Sequence, residues 1–300
     1  MLGGIGYKPY HTPFQKSAAK SMGKIASKLS AKFCIALGDN FYSEGVDSVD
    51  SNRFEKTWKD VYDDDSLAIP WLLIAGNHDH KQNVSAQIEY SSRDSNWVFP
   101  NFYHSHSYSS SDNSVKVDVI LLDTIDLCGA NAAVTEDEPG YFDPLPHRVK
   151  GDNAQWQWLE DALSKSTANY ILVGGHYPIY SVCEHGPDAT LINELLPLLK
   201  QYNAHYMSGH DHCQNHFVEP NTQVNIMLTG VGDTCCYKND NINNPAIPAG
   251  ALKWYVSAES RDHHFAGFMS MTATASELIV TYFNEDGEVQ YQPSPIAPRV

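Results

Sequence analysis

The sequence predicts an α/β fold of two packed sheets flanked by helices, and three observations carry that reading. Early in the chain, helical patterns alternate with short apolar runs, the arrangement that lays helices on the face of a sheet. After His212 the character changes to short β-type stretches, His216-Phe217-Val218, Val224 to Thr229, Phe265 to Met271 and Glu277 to Phe283, which read as hairpins closing a second sheet. The third observation is a local grammar of apolar strand, glycine and polar side chain. It joins Phe33–Leu37 to Gly38-Asp39-Asn40-Phe41-Tyr42 and Trp71–Ala75 to Gly76-Asn77-His78-Asp79. It recurs where Tyr170–Val173 meets Gly174-Gly175-His176 and where Ala204–Ser208 meets Gly209-His210-Asp211-His212. Strands ending this way bring Asp, Tyr, Asn and His to one sheet edge.

The elements follow in order. The chain opens on Met1-Leu2-Gly3-Gly4-Ile5-Gly6 with no strand before it. Thr12 caps a helix whose first turn holds Pro13. Phe14, Ala18, Met22, Ile25 and Leu29 form its expected buried face, with Lys16, Lys20, Lys24 and Lys28 on another. Phe33–Leu37 is a buried strand. Arg53 to Tyr62 reads as a second amphipathic helix, with Phe54, Trp58 and Val61 on one stripe. Pro70 introduces the strand Trp71–Ala75, and Lys116 to Thr124 is a β-rich run ending in a polar turn. Cys128 to Gly151 is a glycine-, proline- and acid-rich loop of about twenty residues, longer than most ordered connections and read as functional or cleavable. Asn153 to Ser164 and Ala189 to Tyr202 are further helices, each followed by a motif-bearing strand.

Composition narrows the function. Three hundred residues, 42% of them hydrophobic, suit one large domain or two small ones with a proper core. A net charge of −16 argues against a nucleic-acid partner, which would be repelled outside any metal-lined pocket, and against acidic membranes. No run approaches the roughly 18 apolar residues of a bilayer span, and no signal peptide is read at the start. The six cysteines, Cys34, Cys128, Cys183, Cys213, Cys235 and Cys236, show no CxxC pair, so a structural zinc site is not expected. Cys34, inside a strand, reads as a free core thiol; the others lie in loops that tolerate disulfides. Asn83-Val84-Ser85 is a glycosylation sequon.

The motif residues suit two-metal hydrolysis. Two cations about 3.5–4 Å apart can hold phosphate oxygens, lower the pKa of a bound water and stabilise the developing charge. Asp39 can share its two oxygens between them, and Tyr42, as phenolate, is a hard anionic ligand for a trivalent ion. With Asn77, His176, His210 and His212 the set is oxygen and imidazole without thiolate, which suits iron, manganese or zinc. In an extended segment the rings of His210 and His212 project to the same side, each able to face a different cation.

In order, Gly-Asp-x-x-Tyr, Gly-Asn-His-Asp, Gly-His-Tyr-Pro and Gly-His-Asp-His resemble the calcineurin-like metallophosphoesterases, and the tyrosine narrows this to purple acid phosphatases. Ala36 to Tyr42, Ala75 to His80, Asn83 to Ile88 and Glu184-His185-Gly186-Pro187 are similar to the small, animal-type, tartrate-resistant branch, and the similarity spans nearly the whole chain. The resemblance implies a single domain over residues 1–300, folded as a four-layer α/β-β/α sandwich of two mixed sheets. It implies an acid phosphatase that hydrolyses phosphate monoesters, small molecules or phosphoproteins, with a hydroxide activated by a binuclear metal centre. Asp39 would bridge the metals, Tyr42 and His212 would bind Fe(III), and Asn77, His176 and His210 would bind Fe(II), Zn(II) or Mn(II). His78 and His185 would contact the phosphate and protonate the leaving alkoxide; without the family, His185 reads as a loop histidine. Asp79 and Asp211 would orient neighbouring imidazoles or lie exposed. The expected setting is a secreted or lysosomal monomer, glycosylated at Asn83. The loop from Cys128 to Gly151 would cover the site, with Glu136, Asp137, Glu138 and Asp143 competing with phosphate, or be a plain solvated loop. The mammalian disulfide pairs the position of Cys128 with that of Thr190, so Cys183 is expected to substitute, and Cys213 to pair with Cys235 or Cys236.

One family feature is displaced. The resemblance places a Gly-Asp-Trp-Gly-Gly motif, whose aspartate binds the ferric ion, so that Met1 and Leu2 fall on the aspartate and tryptophan. The expectation is a form truncated at its N-terminus, either an ordinary phosphatase or an impaired metal- and phosphate-binding form. The rival activity within the superfamily is that of a phosphodiesterase or protein phosphatase.

Overall fold

The computed structural model describes residues 10–128, 153–260 and 264–299. The glycine-rich opening and nearly all of the acidic loop, with Glu136, Asp137, Glu138 and Asp143, lie outside them. Helix α1 (Pro13–Leu29) begins where Thr12 Oγ1 accepts the Gln15 N–H at 3.0 Å and ends on Ser30 in the left-handed conformation. Its buried face differs from the expected one. Ala18, Ala19, Gly23 and Ala26 are buried with Gln15 and Ser21, whereas Phe14 and Leu29 are each 40% exposed. Small side chains let the helix approach closely, and a Cβ on Gly23 would sit 2.7 Å from the Asp64 carboxylate; the larger residues at helical spacing form the rim.

The strands are β1 (Cys34–Leu37), β2 (Trp71–Ile74), β3 (Trp97–Val98), β4 (His104–Ser109), β5 (Lys116–Leu121), β6 (Tyr170–Gly175) and β7 (His205–Ser208). They continue as β8 (Gln214–Val218), β9 (Asn225–Thr229), β10 (Leu252–Val256), β11 (Gly267–Ala273), β12 (Leu278–Asn284) and β13 (Val289–Tyr291). Among the described residues they form a parallel ladder β1-β2-β3, a mixed seven-stranded sheet β10-β8-β9-β7-β6-β5-β4, and an antiparallel ladder β11-β12-β13. The helices α2 (Asn77–His80), α3 (Val84–Tyr90), α4 (Thr124–Cys128), α5 (Asn153–Lys165) and α6 (Leu196–Tyr202) connect them, with Phe54–Lys59 and Leu191–Leu195 wound as π-helical segments.

Three apolar clusters show the layering. Leu37, Leu72 and Ile74 of the β1–β2 ladder meet Leu121, Leu172 and Met227 of the seven-stranded sheet, with Val280 and Tyr282 of β12 joining them, in a core between sheets. On the outer side of the small ladder, Ala19 and Ala26 of α1 pack with Phe54, Trp58, Trp71 and Trp97. On the outer side of the large sheet, Leu159 and Leu163 of α5 and Leu199 of α6 pack on Ile171, Val173 and Tyr206. Helix, sheet, sheet, helix is the order, as expected, with strands alternating their faces between the two cores on either side.

The disulfides differ from the expected ones. Cys183 pairs with Cys213, and Cys235 with its neighbour Cys236. Cys128 stays a buried thiol that donates to Asp188 Oδ1 at 3.6 Å, so it has its own partner at the end of α4.

Candidate metal centre

The motifs converge because their strands run side by side. Leu37 of β1 is level with Ile74 of β2, and Gly174 and Gly175 of β6 with Met207 and Ser208 of β7. The residues after each strand therefore emerge at one end of the paired sheets. The turns are tight enough to need their glycines. Gly38 has φ +88°, and a Cβ there would stand 2.6 Å from His176 Nδ1. A Cβ on Gly76 would collide with the Asp39 carboxylate and stand 2.7 Å from the His176 ring. Asp39 and His210 themselves sit at φ +52° and +68°, a conformation that costs a non-glycine residue about 1 kcal/mol or more and is held by its surroundings.

Asp39 is at the middle. Its Oδ1 accepts the His78 N–H at 3.0 Å, and its Oδ2 accepts the Tyr42 hydroxyl at 2.7 Å with His176 Nε2 at 3.3 Å. Tyr42 Oη lies 3.1 Å from His212 Nε2. His176 donates from Nδ1 to the Leu37 carbonyl at 2.7 Å, which turns Nε2 inward, 3.0 Å from Asn77 Oδ1. His78 is held the same way, Nδ1 donating to the Ser43 carbonyl at 2.6 Å. His210 Nε2 is buried without a hydrogen-bond partner, and its ring lies 5.0 Å from that of His176. One ligand atom each from Asp39, His176 and His210 fall within 4.8 Å of one another.

A buried imidazole nitrogen left without a partner is costly, and a cation is the partner this donor set fits. Burial pushes the Asp39 carboxyl up, but His176 and His78 beside it hold it well below the usual carboxylate range. Burial, with His185 and His176 adding to it, keeps His210 far below an ordinary histidine, and burial takes His212 down to about 3. The site thus offers a carboxylate on Asp39 and neutral imidazoles on His210 and His212. Tyr42 is the opposite case: burial and then the Asp39 charge push its phenol well above 10. Without a cation it stays protonated, donating to Asp39.

His185 reaches the same place from the loop after β6, half-buried, its ring stacked on His210 at 4.2 Å and edge-on to Tyr237 at 5.5 Å. Asp79 and Asp211 are both fully buried rather than exposed. Asp79 ties two turns together, accepting from the N–H groups of Gly76, Asn40 and Phe41 and from Gln87 Nε2 at 2.9–3.2 Å. Asp211 Oδ1 accepts the His185 N–H at 3.1 Å.

The profile of the family described as Calcineurin-like phosphoesterase matches residues 14–214. The chain is 36% identical over 288 residues to the rabbit (Oryctolagus cuniculus) protein "Tartrate-resistant acid phosphatase type 5", covering 95% of this chain and 86% of that one. The chain belongs to the calcineurin-like phosphoesterase family. The human protein of the same name is 35% identical over 294 residues, with the same coverage. Among solved structures, GAP50, titled "the anchor in the inner membrane complex of Plasmodium", superposes with TM-score 0.78 at 20% identity, covering 99% of this chain and 88% of that one. That likeness is one of fold.

Within this calcineurin-like site, sequence reasoning passed over three contributors. Thr124 Oγ1 accepts the N–H groups of His176 and Tyr177 at 3.0 and 2.9 Å. Its neighbour Asp123 caps α4 through the Ile125 N–H and pairs with His80 Nε2 at 3.0 Å. Tyr237 stacks flat on His212, centroids 4.3 Å apart. The signal for the first two was Leu121-Leu122-Asp123-Thr124, a strand ending in polar residues without the glycine that marked the other turns. Tyr237 carried no such signal.

Proposed function

We propose that Asp39, Tyr42, Asn77, His176, His210 and His212 hold two cations, and that His78 and His185 serve the phosphate of a monoester in acid phosphatase chemistry. The observation that carries this is the buried cluster of Asp39, His176 and His210, with the His210 nitrogen unpartnered. Family membership supports a phosphoric monoester hydrolase with a binuclear metal centre, and the rabbit and human relatives are named for acid phosphatase activity.

Asp39 would bridge the two cations, Tyr42 and His212 would complete an Fe(III) site, and Asn77, His176 and His210 a site for Fe(II), Zn(II) or Mn(II). When bound, the cations supply a polarised water and neutralise charge on the phosphate oxygens. The protein's own part is positional. The Leu37 carbonyl fixes the His176 tautomer, and the Ser43 carbonyl does the same for His78, whose other nitrogen is left to face the ester. His185, stacked on His210, would hand a proton to the departing alkoxide, a role worth about 100-fold or more in general-acid catalysis. Asp39 must receive a charge partner in place of the Tyr42 proton, so metal uptake releases a proton.

The finer expectations belong to the same proposal: a single domain, a monomer, glycosylated at the exposed Asn83, in a secreted or lysosomal setting. Among the described residues, no helix is long and apolar enough to cross a membrane. The test is spectroscopic and kinetic. Iron-loaded protein is expected to be violet or pink, from tyrosinate-to-iron charge transfer, and to hydrolyse an aryl phosphate at acidic pH in the presence of tartrate. A colourless iron-replete protein overturns the Tyr42 assignment, and an inert one the activity.

A further inference from the structure

The Cys183–Cys213 crosslink lies in the site's second layer. Cys183 is two residues before His185, and Cys213 directly follows His212. The bond joins segments 30 residues apart, and both cysteines are fully buried. The segments it joins have little regular structure to hold them. From Tyr177 to Asp188 the chain makes no helix or strand. Gly209 to Cys213 is a tight winding in which Asp211 N donates to Gly209 O at 2.9 Å and Cys213 N to Asp211 O at 2.8 Å. Around the sulfurs the two segments are laced together. Val182 N donates to Asn215 Oδ1 at 3.0 Å and His185 N to Asp211 Oδ1 at 3.1 Å, while Asn241 Nδ2, from a third segment, donates to the Cys183 carbonyl at 2.7 Å. Asn215 Nδ2 stands 3.5 Å from Cys213 Sγ.

We propose that the Cys183–Cys213 disulfide is a positioning device for His185, fixing its loop to the turn that carries His210 and His212 so that the imidazole stays over His210. The inference rests on the reading of His185 as the group that serves the leaving alkoxide. Beyond the crosslink, three kinds of contact hold His185 in place: the backbone N–H bond to Asp211, the stack on His210 and the edge of Tyr237. Hydrogen bonds and ring contacts of that kind exchange readily with water on a loop. A covalent link removes the loop's freedom to swing away, and proton transfer depends on donor position at the scale of tenths of an ångström to one ångström. The bond is also placed to act on His185 more than on the strands, which the sheet ladders already fix. Its pairing differs from the one the family resemblance implied, so the device belongs to this chain's own cysteines.

A merely stabilising disulfide and a positioning one differ in what they do to leaving groups. An aryl phosphate with an acidic phenol departs with little need of a proton, whereas an alkyl phosphate needs one. The test compares wild type, Cys183→Ala/Cys213→Ala, His185→Ala and the triple variant, all metal-loaded with cation content checked, on 4-nitrophenyl phosphate and glycerol 2-phosphate. The cysteine variant is expected to keep both cations and to change kcat on the aryl ester by less than about threefold, while losing about tenfold or more on the alkyl ester. In the His185→Ala background the cysteine changes should cost nothing further on the alkyl ester, since the two act through one group. Equal losses on both esters, the same loss with and without His185, or no loss would each overturn the proposal. If His185→Ala itself leaves alkyl turnover unchanged, the role given to His185 is wrong and the proposal falls with it. If wild type turns over neither ester, amide exchange in the metal-free protein decides on position alone: His185 N–H is expected to exchange slowly in wild type and much faster in the cysteine variant, and unchanged exchange refutes the staple. Should the alanine pair fail to fold, Cys183→Val with Cys213→Ala refills the volume and is put through the same comparisons.

Discussion

Asp39 concentrates the chemistry of the site in one side chain. It is almost fully buried, sits at φ +52°, and takes the N–H of His78 and the hydroxyl of Tyr42 on separate oxygens. Tyr42 has to lose its proton to serve as a ligand, against burial and the Asp39 charge. Tyr42→Phe is therefore expected to abolish the visible band of iron-loaded protein while leaving the fold intact by circular dichroism; a retained band would place the chromophore elsewhere. Asn77→Ala removes the amide oxygen 3.0 Å from His176 Nε2. Its expected cost is about 100-fold or more in aryl phosphate turnover together with one lost cation, and unchanged turnover and metal content would count against Asn77. At this scale the sequence was informative because each of these residues follows a strand-ending glycine within four positions. Tyr237 was illegible: it reaches His212 by a stack from a segment with no periodic pattern, and a contact of that kind leaves no local trace. The disulfides were equally hidden, since spacing alone does not choose among partners.

At the scale of elements, the site depends on how the turns are indexed to one another. The one-turn helix α2 carries Asn77 at one end and His80 at the other, and His80 pairs with Asp123 while the adjacent Thr124 receives the N–H of His176. Removing that buried hydrogen bond by His80→Ala is expected to destabilise the protein by about 1–3 kcal/mol and to weaken metal retention, read by chemical denaturation and by cation content after dialysis. An unchanged unfolding midpoint would show the pair to be incidental. The strands and most helices were legible because each is a short apolar run or a capped amphipathic pattern with clear punctuation. The face of α1 was not. Phe14 and Leu29 have the right spacing for a core stripe, but the helix packs through Ala18, Ala19, Gly23 and Ala26, and at Gly23 the Asp64 side chain leaves no room for a Cβ.

For the whole molecule, the β1–β3 and β11–β13 ladders meet the seven-stranded sheet over one core, and the open edge where four strands end is the candidate site. The architecture was legible from the alternation of helix and strand followed by hairpins, because each pattern buries one face and needs a layer opposite. The number of strands in each ladder was not legible, since pairing between distant segments has no local signature. Several buried histidines make the fold sensitive to acid. His104, His205 and His264 are each pushed down to about 4 by burial, against about 6.5 in an unfolded chain. Between those values the unfolded state binds protons that the folded state does not, so stability falls as pH drops from about 6.5 to 4, by up to about 3 kcal/mol per group. Asp79 and Asp211, whose carboxyls burial pushes up, work in the opposite direction and offset part of it. Metal-free protein is expected to melt at a markedly lower temperature at pH 4.5 than at pH 7, and bound cations to restore stability by mass action; equal melting temperatures would refute that balance.

The most direct test of the account is to count cations. Purified wild-type protein loaded with iron and dialysed should retain two metal ions per chain, and Asp39→Asn, which keeps the side chain's shape but removes the shared charge, should retain fewer than two and lose aryl phosphatase activity. Two retained ions and full activity in Asp39→Asn, or a wild type that binds none, would contradict a binuclear centre built on Asp39.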